Sequence, residues 1–156
     1  MALRVIVVGG GQVGADLASL LTADGHRVTA IEVQDDVARL LRRDLPDGAV
    51  VSGNGTDPTV LEAAGIREAD VVAAVTGADE TNLVVTSLAR FEFHVPYTIA
   101  RVNNPKNAWI FGPTMGVDVA LNQADLMAHL VQESLPVKSA MRGGRPETDP
   151  RPDQRG

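Results

Sequence analysis

Four β-branched residues, Val5-Ile-Val-Val8, run straight into Gly9, Gly11 and Gly14, and a helical pattern starts at once behind them. The spacing is G-x-G-x-x-G in the setting the motif needs, between a strand and a helix. Gly9 permits a tight turn, Gly11 lets a diphosphate approach the main chain without meeting a Cβ, and Gly14 lets the helix lie close on the strand. The free N–H groups and positive dipole end at the helix start then attract phosphate. Gln12 and Val13, inside the motif, belong to the same candidate surface. Glu32 stands 18 residues beyond Gly14, at the end of the next apolar run, Arg27-Val-Thr-Ala-Ile-Glu32. A carboxylate there can accept hydrogen bonds from both hydroxyls of a ribose, with Val33 beside it, and its charge disfavours the 2′-phosphate of NADP. Glycines serving packing alone are the competing reading.

Apolar runs alternate with helical patterns along the rest of the chain. Strands are expected at about 3–8, 27–33, 48–52, 70–75, 96–102 and 117–121, helices at 12–24, 35–43, 57–64, 79–91 and 123–135, and a short helix near 104–111. Runs such as Val71-Val-Ala-Ala-Val75 are apolar throughout, as strands covered on both faces are. Right-handed crossovers then give an α/β fold: a Rossmann-like, doubly wound, parallel six-stranded sheet in the order 3-2-1-4-5-6 with helices on both faces. Gly25 and Gly65 are expected to end helices, Pro58 to occupy a first turn and Asp79 to cap the fourth helix. Residues 1–135 read as one domain. From Pro136 onward, prolines, glycines and charges replace apolar residues, so 136–156 is expected to be a disordered tail.

Aromatic residues make up only 3% of the chain, so its core must come from Val, Ala, Leu and Ile, and no aromatic platform for exposed bases is expected. The net charge is −6, and residues 1–137 carry nine Lys/Arg against seventeen Asp/Glu, a balance of −8. Such a surface repels nucleic acid and anionic membranes. Cysteine is absent, which excludes disulfides and thiol chemistry and is compatible with a reducing compartment. No apolar run approaches the roughly 20 residues that cross a bilayer, so direct membrane insertion is not expected. His26, His94 and His129 have no metal-ligand spacing, and no metal is expected.

The segments Val8-Gly-Gly-Gly-Gln-Val-Gly14, Gly25-His-Arg-Val-Thr-Ala-Ile-Glu32, Val51-Ser-Gly53-Asn54-Gly55-Thr56-Asp57, Leu61-Glu-Ala-Ala-Gly65, Ala69-Asp70-Val-Val-Ala-Ala-Val75-Thr76, Asp79-Glu80-Thr-Asn82-Leu83 and Ile99-Ala-Arg101-Val102-Asn103 carry a more specific signal together than the glycine turn alone. In these the chain resembles the TrkA N-terminal family, the nucleotide-sensing RCK or KTN domain, from about Leu3 to Leu130. The resemblance implies a cytoplasmic regulatory subunit or domain, peripheral to the inner face of the membrane. Such a domain binds NAD or NADH, or ATP or ADP, across the strand tips and passes its change of shape to the membrane subunit of a potassium channel or transporter. It implies a homodimer or a higher ring. Family members usually continue through a crossover helix into a smaller C-terminal lobe, and these residues run out before one. Asn54 stands where the family commonly has Asp, which weakens any metal-site carry-over.

Strand order places Gly55 and Thr56 beside an adenine, with Thr56 or Asp57 capping the next helix as the compatible alternative. By resemblance, Thr76, Gly77 and Asn82 face the second ribose or terminal phosphate. Arg101, ending a buried strand at the same crevice, either contacts a phosphate or forms a structural salt bridge. Asp79 and Glu80 read as helix-start electrostatics, not catalysis. Trp109, Ile110 and Phe111 concentrate apolar bulk, and Leu126, Leu130 and Val131 form a stripe that covers a sheet edge or joins two copies. Two other functions compete: an NAD-dependent oxidoreductase and a nucleotide sensor for another membrane partner. Against the first, the nucleotide domain uses about 135 residues and leaves no substrate domain. The single tyrosine, Tyr97, is followed four residues later by Arg101 where a Tyr/Lys pair would need Lys. No catalytic residue is therefore expected.

Overall fold

The computed structural model describes residues 1–134; the expected disordered tail at 136–156 lies outside them. The strands are β1 (Arg4–Val8), β2 (Arg27–Glu32), β3 (Val50–Ser52), β4 (Val71–Ala74), β5 (Tyr97–Arg101) and β6 (Val119–Leu121). They form one sheet in the order β3-β2-β1-β4-β5-β6, parallel at every pairing. This is the expected doubly wound topology. The α-helices are α1 (Gln12–Ala23), α2 (Asp35–Asp44), α3 (Pro58–Ala63), α4 (Asp79–Ser87) and α5 (Gln123–Ser134).

Residue alternation along β1 explains the two layers. Val5 and Val7 pack with Ala18 of α1 and Ala38 and Leu41 of α2, whereas Ile6 and Val8 pack with Leu61 of α3 and Val85 of α4. A strand buried on both faces has no place for a polar side chain between its ends, which is why its sequence is continuously apolar. A third cluster gathers Ala100, Val102, Phe111 and Val117 with Leu83, Ile110 and Met115.

Local chemistry sets the helix ends. Gly25 and Gly65 adopt φ of +89° and +86° just past α1 and α3, where a Cβ would be strained. Asp57 caps α3 by accepting from the Thr59 N–H at 2.9 Å, and Pro58 begins that helix. Two expectations need correction. Asp79 does not cap α4: Ala78 holds that position and the Asp79 side chain turns to another loop. The expected helix over 79–91 is α-helical only to Ser87, then widens into a π turn over Leu88–Glu92. The short helix expected near 104–111 is present as a 3₁₀ helix, Pro105–Ile110; its Trp109 is 83% exposed, while Phe111 just after it is buried.

The chain divides into a unit of residues 1–122 and a second unit from Gln123, of which α5 is described. In α5, Leu126 and Leu130 lie one turn apart on one face. Among the described residues no helix is long and apolar enough to cross a membrane.

Candidate functional site

In register, Val8 of β1 lies between Ile31 of β2 and Ala74 of β4, so three strands end at one level. The chain leaves β1 toward one side of the sheet and β4 toward the other, and a crevice opens where they part. A cleft of about 550 Å³ occupies that crevice. The turn after β1 contributes Gly9, Gly11 and Val13; β2 contributes Glu32, with Val33 after it; the turn after β3 contributes Asn54 and Gly55. Thr76 and Gly77 follow β4, and Arg101 ends β5.

The glycines differ in what they do. Gly9 has φ +112° and donates its N–H to the Ile31 carbonyl at 2.9 Å. A Cβ on Gly14 would lie 1.7 Å from the Gly9 carbonyl oxygen, so that glycine seats α1 against the turn and does not line the cleft. A Cβ on Gly11 would meet nothing within 4 Å. Gly11 is also the cap position of α1, with no side-chain cap and no acidic residue in the first turn. By contrast α2 and α4 carry acids in their first turns, and Asp57 caps α3. The positive end of α1 is left for a ligand's anion.

Glu32 is 9% exposed. Its Oε2 accepts from the Gly10 N–H at 2.7 Å and its Oε1 from the Gln34 N–H at 3.2 Å. Each oxygen keeps a further lone pair, so the carboxylate can hold the turn and still accept from a sugar hydroxyl. The middle glycine, Gly10, was not singled out by the motif: a Cβ there would come within 2.5 Å of Leu41 and 3.3 Å of the Glu32 Cβ. Gln34, Val37, Ala78 and Thr81 also line the cleft and were not anticipated.

Three further candidates, Gln12, Thr56 and Asn82, do not line the cleft. Gln12 turns outward to Asp16, 3.0 Å away. Thr56 gives its N–H and hydroxyl to the Asn54 Oδ1, at 3.0 and 2.8 Å, fixing the turn after β3. Asn82 is fully buried. Its Oδ1 accepts from the Thr76 N–H at 3.0 Å and hydroxyl at 2.6 Å, and its amide donates to the carbonyls of Thr76 (3.1 Å) and Arg101 (2.9 Å). It ties the tips of β4 and β5 together and does not face the cleft.

Asp79 extends that tie. It accepts from the Asn103 N–H at 2.7 Å, the Asn104 N–H at 2.9 Å and the Asn107 amide at 2.9 Å, while the Asn103 amide also reaches the Thr76 carbonyl. Burial pushes its carboxyl upward, and the hydrogen bonds from Asn103, Asn107 and Asn104 outweigh that and hold it below the ordinary value.

Arg101 is half-buried, and among the described residues no carboxylate pairs with it, so the salt-bridge alternative is not observed. Tyr97 begins β5 and Arg101 ends it, which puts the tyrosine at the opposite end of the sheet from the cleft. Among the described residues no group of three or more His, Asp or Glu is placed to hold a metal ion.

A model of the TrkA-N domain matches residues 5–123. The Trk system potassium uptake protein TrkA of Mycobacterium tuberculosis is 36% identical over 140 residues, covering 90% of this chain and 63% of the relative. The TrkA homolog of Methanothermobacter thermautotrophicus is 46% identical over 116 residues, covering 74% of this chain and 52% of the relative. This chain thus spans a half to two thirds of the length of these relatives. The same fold occurs in GsuK, a channel solved bound to NAD and also solved bound to ADP, both with a TM-score of 0.68 and 24% identity. Those matches cover 88% and 87% of this chain and 24% and 34% of the respective GsuK chains.

Proposed function

Since this chain belongs to the TrkA-N domain family, we propose that it is the nucleotide-sensing part of a regulatory protein of potassium uptake. It binds an adenine nucleotide, NAD(H) or ATP/ADP, and couples the state of that ligand to transport by a membrane partner on whose cytoplasmic side it sits. It works as a homodimer or a larger ring. The observation that carries the reading is the cleft across the strand tips, where the uncapped start of α1 and the Glu32 carboxylate face one space.

The residues present fit such a ligand. The open side of Gly11 admits a diphosphate to the main-chain amides, Glu32 accepts from the ribose, and Asn54 and Gly55 flank the adenine side. The regulation needs no bond to be made or broken. A nucleotide that binds one arrangement of the assembled subunits better than another shifts the equilibrium by its differential affinity. An oxidoreductase reading draws no support from the cleft, whose described lining contains no tyrosine, lysine or histidine.

Thermal unfolding with and without NAD, NADH, ADP and ATP tests the binding. At 100 times its dissociation constant a ligand stabilises the fold by about 2.7 kcal/mol, a shift plain in a melting curve. No shift with any of the four at millimolar concentration would overturn the reading. Coupling is tested by rubidium uptake in cells holding a potassium uptake membrane subunit, with and without this chain.

A further inference from the structure

Resting on the nucleotide-binding reading above, we propose that Arg101 sets the ligand class of the cleft: it selects an adenosine di- or triphosphate over a nicotinamide dinucleotide by meeting the terminal phosphate. The cleft has two halves on either side of the first βα junction. A nucleotide with its sugar at Glu32 and its first phosphates on the start of α1 must send its next group toward the tips of β4 and β5.

What waits there is a cation. Arg101 is the only Lys, Arg or His among the described residues lining the cleft, and no carboxylate among them pairs with it. A half-buried guanidinium with no anion is short of partners, and a phosphate supplies two acceptor oxygens in the spacing of its planar fork. On the neighbouring wall, Thr76 is already committed. Both main-chain polar groups of Thr76 and its hydroxyl are already bonded to Asn82, Asn103 and Ala78. That wall therefore lacks free Thr76 atoms to engage ribose hydroxyls or a carboxamide, whereas the guanidinium remains available.

The charge pattern agrees. The lining carries one anion, Glu32, at the sugar end and one cation, Arg101, at the other. An adenosine polyphosphate is neutral at its sugar and most negative at its terminus. In NAD the far group is a cationic ring, and in NADH a neutral one, so the guanidinium repels the first and gains nothing from the second.

Calorimetric titration of the full chain with AMP, ADP, ATP, NAD and NADH, for wild type, Arg101→Gln and Arg101→Lys, tests this. Wild type is expected to bind ADP and ATP about tenfold or more tighter than NAD or NADH, the size of one charge-assisted contact. Arg101→Gln should remove that advantage while leaving AMP and NADH within about twofold, and Arg101→Lys should restore part of it. The side chain makes no bond within the described fold, so the variants should melt as wild type does. Equal weakening of all five ligands, or NADH binding as tightly as ADP to wild type, overturns the assignment of Arg101 and leaves the nucleotide site standing. No binding by any of the five overturns both.

Discussion

The Glu32 Oε2 atom accepts a 2.7 Å hydrogen bond from the buried Gly10 N–H, 22 residues earlier. The acid expected to grip a sugar therefore also pins the turn that approaches the phosphates. Glu32→Ala leaves that N–H without a partner and should cost about 1–3 kcal/mol of stability as well as nucleotide affinity. Glu32→Gln keeps one acceptor for Gly10 and should lose affinity with a smaller loss of stability. Chemical denaturation beside calorimetry separates the two effects; wild-type affinity in both variants would remove Glu32 from the site.

Gly11 and Gly14 give a contrast within one turn. Gly14→Ala drives a methyl into the Gly9 carbonyl and should lower the melting temperature by the several degrees that a loss of about 2 kcal/mol produces. Gly11→Val enters open space and costs only the weaker cap it gives α1, about 1 kcal/mol, while nucleotide binding is lost. Melting curves with and without nucleotide check both.

Asn82 offers its amide to two carbonyls at once. Asn82→Ala takes the side-chain partner from the Thr76 N–H and the Arg101 carbonyl and should cost about 3 kcal/mol. Asn82→Asp turns a carboxylate oxygen toward those carbonyls. Its penalty should exceed that of alanine at pH 7 and shrink as the pH falls, because the protonated acid regains a donor. Urea unfolding at pH 5 and pH 7 measures the difference.

The depressed carboxyl of Asp79 makes stability depend on acid. A group whose folded value lies below its unfolded one stabilises fully above the unfolded value of about 4 and loses that contribution as the pH falls through the folded value. Asp79→Asn should flatten the stability curve below about pH 4 and loosen the 103–107 segment. Amide exchange at Asn103 and Asn104 reports the loosening, and an unchanged acid limb in the variant would contradict the assignment.

The strand order and the cleft were legible because they follow from short-range signals: apolar runs of strand length, and glycines at a spacing that only one βα turn needs. The functions of Asn82 and Gly10 were not. Helical spacing does not tell which side of α4 faces the strand ends, so a buried amide bonded to two carbonyls reads like a ligand contact. Gly10 is required by Leu41 and Glu32, which arrive from 31 and 22 residues away, and no local pattern records that crowding. That the short helix at Pro105–Ile110 is of 3₁₀ form was not legible for a similar reason. Asn104 caps it locally, but its tether to Asp79 spans 28 positions of chain at Asn107.

Trp109, the chain's single indole, stands 83% exposed on that tethered 3₁₀ segment. An indole so exposed should emit as a water-bathed chromophore already in the native protein and record little when the valine-rich interior comes apart. Fluorescence from this protein is a local gauge of the loop beyond β5, and global unfolding is better followed by circular dichroism.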